Sequence, residues 1–500
     1  MAMSTLFNKK IITILLFIFL AEILSFFGFL LPQFQIIIFF IIVLLILILS
    51  LYKFEYGILI ILAELFIGSK GGLFYFEYDG LLISIRIALW LIIISVWASK
   101  IISLWIKEKK FPINYLKIPY WQLYLILFIF IGWGAINGFL KHNELSNIFF
   151  DFNGWLYFSL IFPIYFAFIK PLSGNENRFM AAIFQVFIAS TIWLCLKTYF
   201  LLYVFSHNIL GMVYELYRWV RNSGVGEITL VQGGFYRIFF QSHIFVLIGY
   251  FIFLMILFKI EKNKRLFIIY FLFFTLYLAT ILLSFSRSFW IGLAAGLFLF
   301  FLIILKQFNW KKFSQMFFII IISGIFSILF IVAIVKFPYP NPVGGFSTAD
   351  LLKTRVIQIS GEAAVSSRWE LLPELWQQIS NAPILGKGFG ATVTYKTNDP
   401  RILESSPDGL YTTYAFEWGW LDILLKLGII GLLSYLILLG KVIYDGFKIK
   451  DFTIILGMTV GLFVIAIISF FSPYTNHPLG IGYLVLASCL ITQNISYKSY

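Results

Sequence analysis

The feature that most limits what this chain can become is a succession of long apolar runs from one end to the other. About fourteen stand out, at 11–31, 33–52, 56–68, 81–105, 121–140, 149–169, 179–205, 238–259, 265–284, 289–305, 316–336, 419–440, 452–471 and 478–494. Most approach the roughly 20 residues that cross about 30 Å of hydrocarbon, and the third is short. Hydrocarbon offers backbone groups no water, so such runs must become helices or a closed barrel, and their length points to helices. Only 12% of the 500 residues are charged and 61% are hydrophobic, where soluble domains carry about a quarter charged. A soluble fold is excluded. The expectation is an all-α integral membrane protein of about 12–14 transmembrane helices, with a large non-cytoplasmic loop carrying short amphipathic helices.

The opening "MAMSTLFNKKIITILLFIFLAEILSFFGFLL" has a basic start, but its apolar run is too long for a signal peptide and no small-residue cleavage site follows. It is expected to stay as the first span. Cys195 and Cys489 fall in apolar runs, so no disulfide framework is expected. The histidines share no ligand spacing, so neither a metal site nor a cofactor is expected. With the N-terminus in the cytoplasm, the inner loops become "KIISLWIKEKKFPINYLK", "KPLSGNENR", "FKIEKNKRLF", "KQFNWKKF" and "KVIYDGFKIKD", with "SYKSY" inside as well. Each carries Lys or Arg, as the positive-inside tendency requires. Both termini are therefore expected in the cytoplasm. The net charge of +14 is then mostly lysine on that face and is no argument for nucleic acid. The chain divides into N-terminal helices (1–205), central helices (206–336) with an outer loop at 206–237, a large extracytoplasmic loop (337–418) and C-terminal helices (419–500).

Most arginines fall on the opposite face: Arg218, Arg221, Arg237, Arg287, Arg355, Arg368 and Arg401. Insertion does not call for cations there. Arginine presents a planar fork that grips phosphate or carboxylate oxygens bidentately. Some of these can pair with outer acids such as Glu215, Asp350 or Glu370, but "SFSRSF" around Arg287 offers no acid of its own. Within the large loop, "SSRWELLPELWQQISN" places Trp369, Leu372, Trp376 and Ile379 at helical spacing, which suggests an amphipathic helix near the membrane surface. "APILGKGFG" follows, with glycines that permit a tight turn. Glu22, Glu64, Arg86, Asp151, Lys197, Asp422 and Lys426 lie within or at the edge of apolar runs, where each must face a partner or a watery cavity. Asp422 and Lys426, spaced i, i+4, can neutralise each other.

In order and spacing, "GFYRIFFQSHIFVL", "FSRSFWIGLAAGLFLFFLI", "RWELLPELWQQISNAPILGKGFG" and "EWGWLDILLKLGIIGLLSYLILL" resemble the O-antigen ligase and O-antigen polymerase superfamily, over roughly 240–440. The resemblance implies a metal-independent, inverting glycosyltransferase of the multi-span (GT-C-like) type. Such an enzyme moves a glycan from an undecaprenyl-pyrophosphate carrier to an acceptor hydroxyl. It would sit in the bacterial cytoplasmic (inner) membrane, with its active site on the periplasmic or extracellular side. Partners implied are the lipid-linked donor, a glycan acceptor, membrane lipids and, for a polymerase, a chain-length regulator. Arg287 matches the family's arginine before its "W-x-G" span, and Arg237 and Arg368 match its other outer arginines. Gly428 and Gly431 supply the final "G-x-x-G". Where the ligases carry a histidine before that pair, this chain carries Glu417, with Trp418 beside it.

The chemistry fits those residue types. Charge growing on a pyrophosphate leaving group is stabilised by arginines aimed at it. An acceptor hydroxyl needs a base within hydrogen-bond reach. Arg287, Arg368 and Arg237 are the candidate pyrophosphate ligands, and Glu417 is the candidate base, with Asp408 and Asp151 in reserve. Glu417 also fits a second reading, an acid facing the N-terminal dipole of a helix. The absent histidine favours a polymerase over a ligase. A polysaccharide or lipid transporter (flippase) remains the alternative from another class, although no internal repeat of the kind transporters carry is visible.

Overall fold

The computed structural model describes residues 9–78, 81–169, 176–209, 211–231, 234–259, 263–306, 310–343, 363–449 and 453–496; Arg355 and Asp350 lie outside them. Helices occupy nearly every apolar run. They are α1 (Lys9–Leu30), α2 (Pro32–Tyr52), α3 (Phe54–Ile67), α4 (Ile85–Glu108), α5 (Trp121–Leu140), α6 (Leu145–Trp155), α7 (Ile161–Ile169), α8 (Glu176–Ser206), α9 (Val213–Asn222), α10 (His243–Lys259), α11 (Lys264–Leu283), α12 (Arg287–Lys306) and α13 (Trp310–Val335), then α14 (Ala363–Ser380), α15 (Gly419–Lys448), α16 (Thr453–Ile468) and α17 (Pro478–Ser496). Among the described residues ten helical segments are long and apolar enough to cross a membrane, with α6 and α7 forming one of them. Helices α10, α16 and α17 are apolar but shorter. The chain is an all-α, multi-span membrane protein.

A helix apolar on every face belongs either inside the protein or in hydrocarbon. Helix α10 follows that rule, buried at each position from His243 to Leu257. It packs closely on α16 because Gly457 and Gly461, one turn apart, leave room for Ile252 and Ile248; a Cβ at Gly457 would lie 2.6 Å from the Ile252 backbone. Small residues at such spacing let membrane helices approach, since lipid gives apolar side chains no incentive to associate. Helices α2 and α13 bury little of themselves and sit at the rim.

Three antiparallel ribbons were not legible beforehand: β1 (Tyr75–Tyr78) with β2 (Leu81–Ser84), β3 (Gly226–Val231) with β4 (Phe235–Phe240), and β5 (Val393–Lys396) with β6 (Leu410–Thr413). Residues 81–84 and 238–240, read as span starts, are strands instead. "LLIS" and "FYRIFF" are apolar enough to extend a hydropathy run, yet their β-branched and aromatic residues also suit a pleated ribbon.

The charges inside the spans pair with one another. Arg86 grips Glu64 through Nε and Nη2 at 3.0 and 2.8 Å, and its Nη1 donates to the Ser69 carbonyl at 2.6 Å. Lys197 meets Glu22 at 2.6 Å and lies over the Trp219 ring. Lys426 bridges Asp422 at 2.6 Å and Asp151 at 2.7 Å. The expected neutralisation of Asp422 by Lys426 holds, with Asp151 as an unforeseen third member.

Helix α15 is broken. Gly428 has φ +69° and ψ −178°, and the segment 383–390 fills the gap. The Lys387 and Gly388 N–H groups donate to the Leu425 and Lys426 carbonyls at 2.7 and 3.0 Å, while the Ile429 N–H donates to Pro383 at 2.9 Å. Deeper in, the Phe389 N–H reaches the Gly134 carbonyl of α5, and Asn137, Asn143 and Trp133 donate to carbonyls of the same segment. Irregular backbone at membrane depth is tolerated only when protein satisfies it, and here it does. Gly386, Gly388 and Gly390 all have positive φ, and a Cβ at Gly388 would lie 2.1 Å from the Gly138 nitrogen. The glycine run is thus inserted against α5 and the break in α15, and it seats the large loop on the bundle.

Candidate functional site at the loop end of the bundle

The segments after α3, after α8, between α11 and α12, after α14 and between α16 and α17 meet at one end of the bundle. Ser69 contacts Ser242 at 3.0 Å, the Lys70 N–H reaches the Gly224 carbonyl at 3.4 Å, and Tyr474 donates to the Gln241 carbonyl at 2.9 Å. This is the end that the positive-inside reading of the sequence expects on the outer face.

Between α11 and α12 the chain turns within three residues. Phe285 takes φ +44°, a conformation bulky side chains rarely adopt, so the surrounding structure must hold it. The result places Arg287 as the first residue of α12, partly buried. A cation at a helix start opposes the macrodipole, so local helix energetics do not explain it. Around it the hydroxyls form a strip: Ser286 to Ser288 at 3.0 Å, and Ser472 to Ser288 at 3.1 Å. Guanidinium, hydroxyls and first-turn N–H groups together make a donor-rich patch suited to an anion. Arg237, on β4, joins the same turn: its Nε donates to the Ser284 carbonyl at 2.8 Å and its guanidinium lies over Phe239.

Arg368 and Glu417 form an ion pair with each other, 42% and 50% exposed. Trp418 donates its indole N–H to the Arg368 carbonyl at 3.1 Å, packs 5.4 Å edge-on from Trp369, and lies 5.9 Å from Phe471, the neighbour of Ser472. One continuous line of contacts therefore runs from the serine strip beside Arg287 to the Arg368–Glu417 pair. Helix α14 exists where expected, but its buried stripe is Leu371, Leu375 and Ile379, packed on Val393, Phe416 and Leu425. Of the residues read as an amphipathic face near the membrane surface, Ile379 is buried and Trp369 and Trp376 are exposed.

The reserve acids are engaged elsewhere. Asp408 closes the turn before β6, accepting from Ser406 at 2.6 Å and from the Leu410 N–H at 3.1 Å. Those two donors hold its carboxyl below the usual aspartate range. Asp151 accepts from the Gly390 N–H at 2.7 Å and from Lys426, tying α6 to the inserted segment.

Sequence reasoning missed the short 469–477 segment. Its Phe471 and Ser472 complete the contact line, and Asn476 donates to Asp422. The polar cluster "SPYTNH" between two apolar runs was the available signal, but the preceding span was read through to residue 471.

Residues 272–436, about a third of the chain, match the sequence family described as O-antigen ligase. That stretch contains Arg287, Arg368, Glu417 and both glycines of the "G-x-x-G", whereas Arg237 precedes it. The match supports assignment to the O-antigen ligase and polymerase superfamily. No curated protein matches the chain.

Proposed function

We propose, on the premise of that family match, that the chain is a polysaccharide polymerase. It transfers a glycan from undecaprenyl pyrophosphate to an acceptor sugar hydroxyl on the outer face of the bacterial cytoplasmic membrane, with both of its termini in the cytoplasm. The observation that carries this reading is the turn before α12, where a strained Phe285 sets Arg287 at the helix start among serine hydroxyls and Arg237 docks on the same turn.

In the reaction, the bond from the anomeric carbon to the pyrophosphate oxygen breaks while the acceptor oxygen attacks from the opposite side. Arg287, with Arg237 beside it, takes up the charge growing on the leaving diphosphate. Glu417 accepts the proton from the acceptor hydroxyl. Arg368 keeps that carboxylate oriented and is therefore a positioning residue, which revises its expected place among the pyrophosphate ligands. The family description favours a second reading, in which the acceptor is another lipid or protein rather than a further repeat unit.

The test is reconstitution in liposomes without a gradient, supplied with a lipid-linked oligosaccharide. Wild type is expected to lengthen the glycan, and Glu417→Gln to do so roughly 100- to 10,000-fold more slowly. Transfer only to a foreign acceptor would select the ligase reading. Counterflow across sealed vesicles without any new glycosidic bond would replace both with a transporter.

A further inference from the structure

Three aromatic rings stand in a row beside the proposed base, and the mechanism above leaves them without a task. Phe471 is next in sequence to Ser472, which donates to Ser288 in the strip at Arg287. Trp418 is next in sequence to Glu417 and sits 5.9 Å from Phe471 and 5.4 Å from Trp369. Trp369 follows Arg368, closing the row around the Arg368–Glu417 pair.

Packing accounts for Trp418, which lies against the cluster of Leu371, Leu375 and Phe416, but not for Trp369. Trp369 is 57% exposed although its helix has a buried stripe available at Leu371, Leu375 and Ile379. Trp418 is half-buried and is held by the hydrogen bond from its indole N–H to the Arg368 carbonyl. Rings at centroid steps of 5.4 and 5.9 Å, flanked by a half-exposed guanidinium and carboxylate, match the two things a pyranose offers. These are a flat C–H face for an aromatic surface and a rim of hydroxyls for charged hydrogen-bond partners.

We propose that Trp369, Trp418 and Phe471 form a stacking subsite for the acceptor glycan, which lays successive sugar rings along the row and brings one hydroxyl to Glu417. The acceptor is the occupant because the row surrounds the base, whereas the diphosphate end of the donor belongs at Arg287. This inference rests on the assignment of Glu417, and its readout is binding, which that assignment does not control.

The experiment uses the full-length protein in nanodiscs of phosphatidylethanolamine and phosphatidylglycerol. The probe is the oligosaccharide freed by mild acid from the lipid-linked substrate, offered as acceptor. Trp369→Ala should raise the acceptor KM roughly three- to tenfold, with the donor KM unchanged and kcat little affected. Trp369→Phe should restore most of the loss, because a flat ring remains. The same oligosaccharide should quench indole emission in wild type and in Glu417→Gln, and less in Trp369→Ala. An unchanged acceptor KM in Trp369→Ala would overturn the proposal. So would emission that changes between detergent and nanodisc but ignores the sugar, which would make Trp369 an interfacial anchor. An active Glu417→Gln enzyme that still loses acceptor affinity on Trp369→Ala would sink the base and spare the subsite.

Discussion

Two sets of charged side chains in this molecule use similar residues to opposite ends. In the bundle, Arg86 and Glu64 meet bidentately at 5% and 7% exposure, and the spare guanidinium nitrogen goes to the Ser69 carbonyl. At the loop end, Arg368 and Glu417 also pair, but with 42% and 50% of their surfaces open. A buried pair has already left water and is held by fixed protein partners, so it serves architecture. An open pair retains water as a competitor and is worth little to stability, which leaves it free to exchange its partner for a ligand. Burial, rather than residue type, separates the two.

The largest expected effect tests the buried side. Arg86→Ala strands the Glu64 carboxylate in the bundle and should cost roughly 3–5 kcal/mol. Thermal unfolding in detergent would read this as a clearly lowered midpoint. Replacing both partners, Glu64→Leu with Arg86→Met, should recover much of the loss, because the stranded charge is gone. A single mutant as stable as the parent would erase the contrast with the loop end.

Next in size is the loop end itself. Arg287→Ala should reduce glycan transfer roughly 100- to 1,000-fold while leaving the unfolding midpoint where it was. Arg287→Lys should recover little, since a point charge cannot reproduce the two-pronged grip on diphosphate oxygens. Full activity in the lysine variant would reduce Arg287 to a source of positive potential. A large drop in stability would move it to the architectural group.

The same contrast explains what could be read beforehand. Helix positions were legible because hydrocarbon imposes length and apolarity directly on the sequence, as in α5, expected at 121–140 and found at Trp121–Leu140. Asp422 and Lys426, four apart on one helix, could be paired beforehand, but distant partners could not: Lys197 and Glu22 are 175 positions apart, and only packing brings them together. Gly428 was visible as half of a "G-x-x-G", yet its break in α15 depends on the 383–390 segment supplying N–H and carbonyl groups from about forty residues upstream. The ion pair of Arg368 with Glu417 was hidden for the same reason. Each residue had been given a role by position in the chain, and their mutual engagement is a fact of folding.

The smallest expected effect guards against reading exposure alone as function. Asp408 is exposed, but its Oδ1 already accepts from the Ser406 hydroxyl and the Leu410 N–H. Both donors favour the charged form, so its pKa lies below the ordinary aspartate value, and the carboxylate stays ionised at neutral pH. For such a group the sign is fixed: whatever the turn gains from the charge is present above the unfolded pKa and is lost as pH falls through the folded one. That window lies in acid, well away from neutral assay conditions. Asp408→Asn keeps an acceptor oxygen for both donors, so transfer at neutral pH should stay within about twofold of wild type, and the pH–rate profile should keep its shape. If instead the acid limb of that profile disappeared in Asp408→Asn while surviving in Glu417→Gln, the base would be the turn aspartate. Satisfied partners would then have failed to separate the architectural acids from the reactive one.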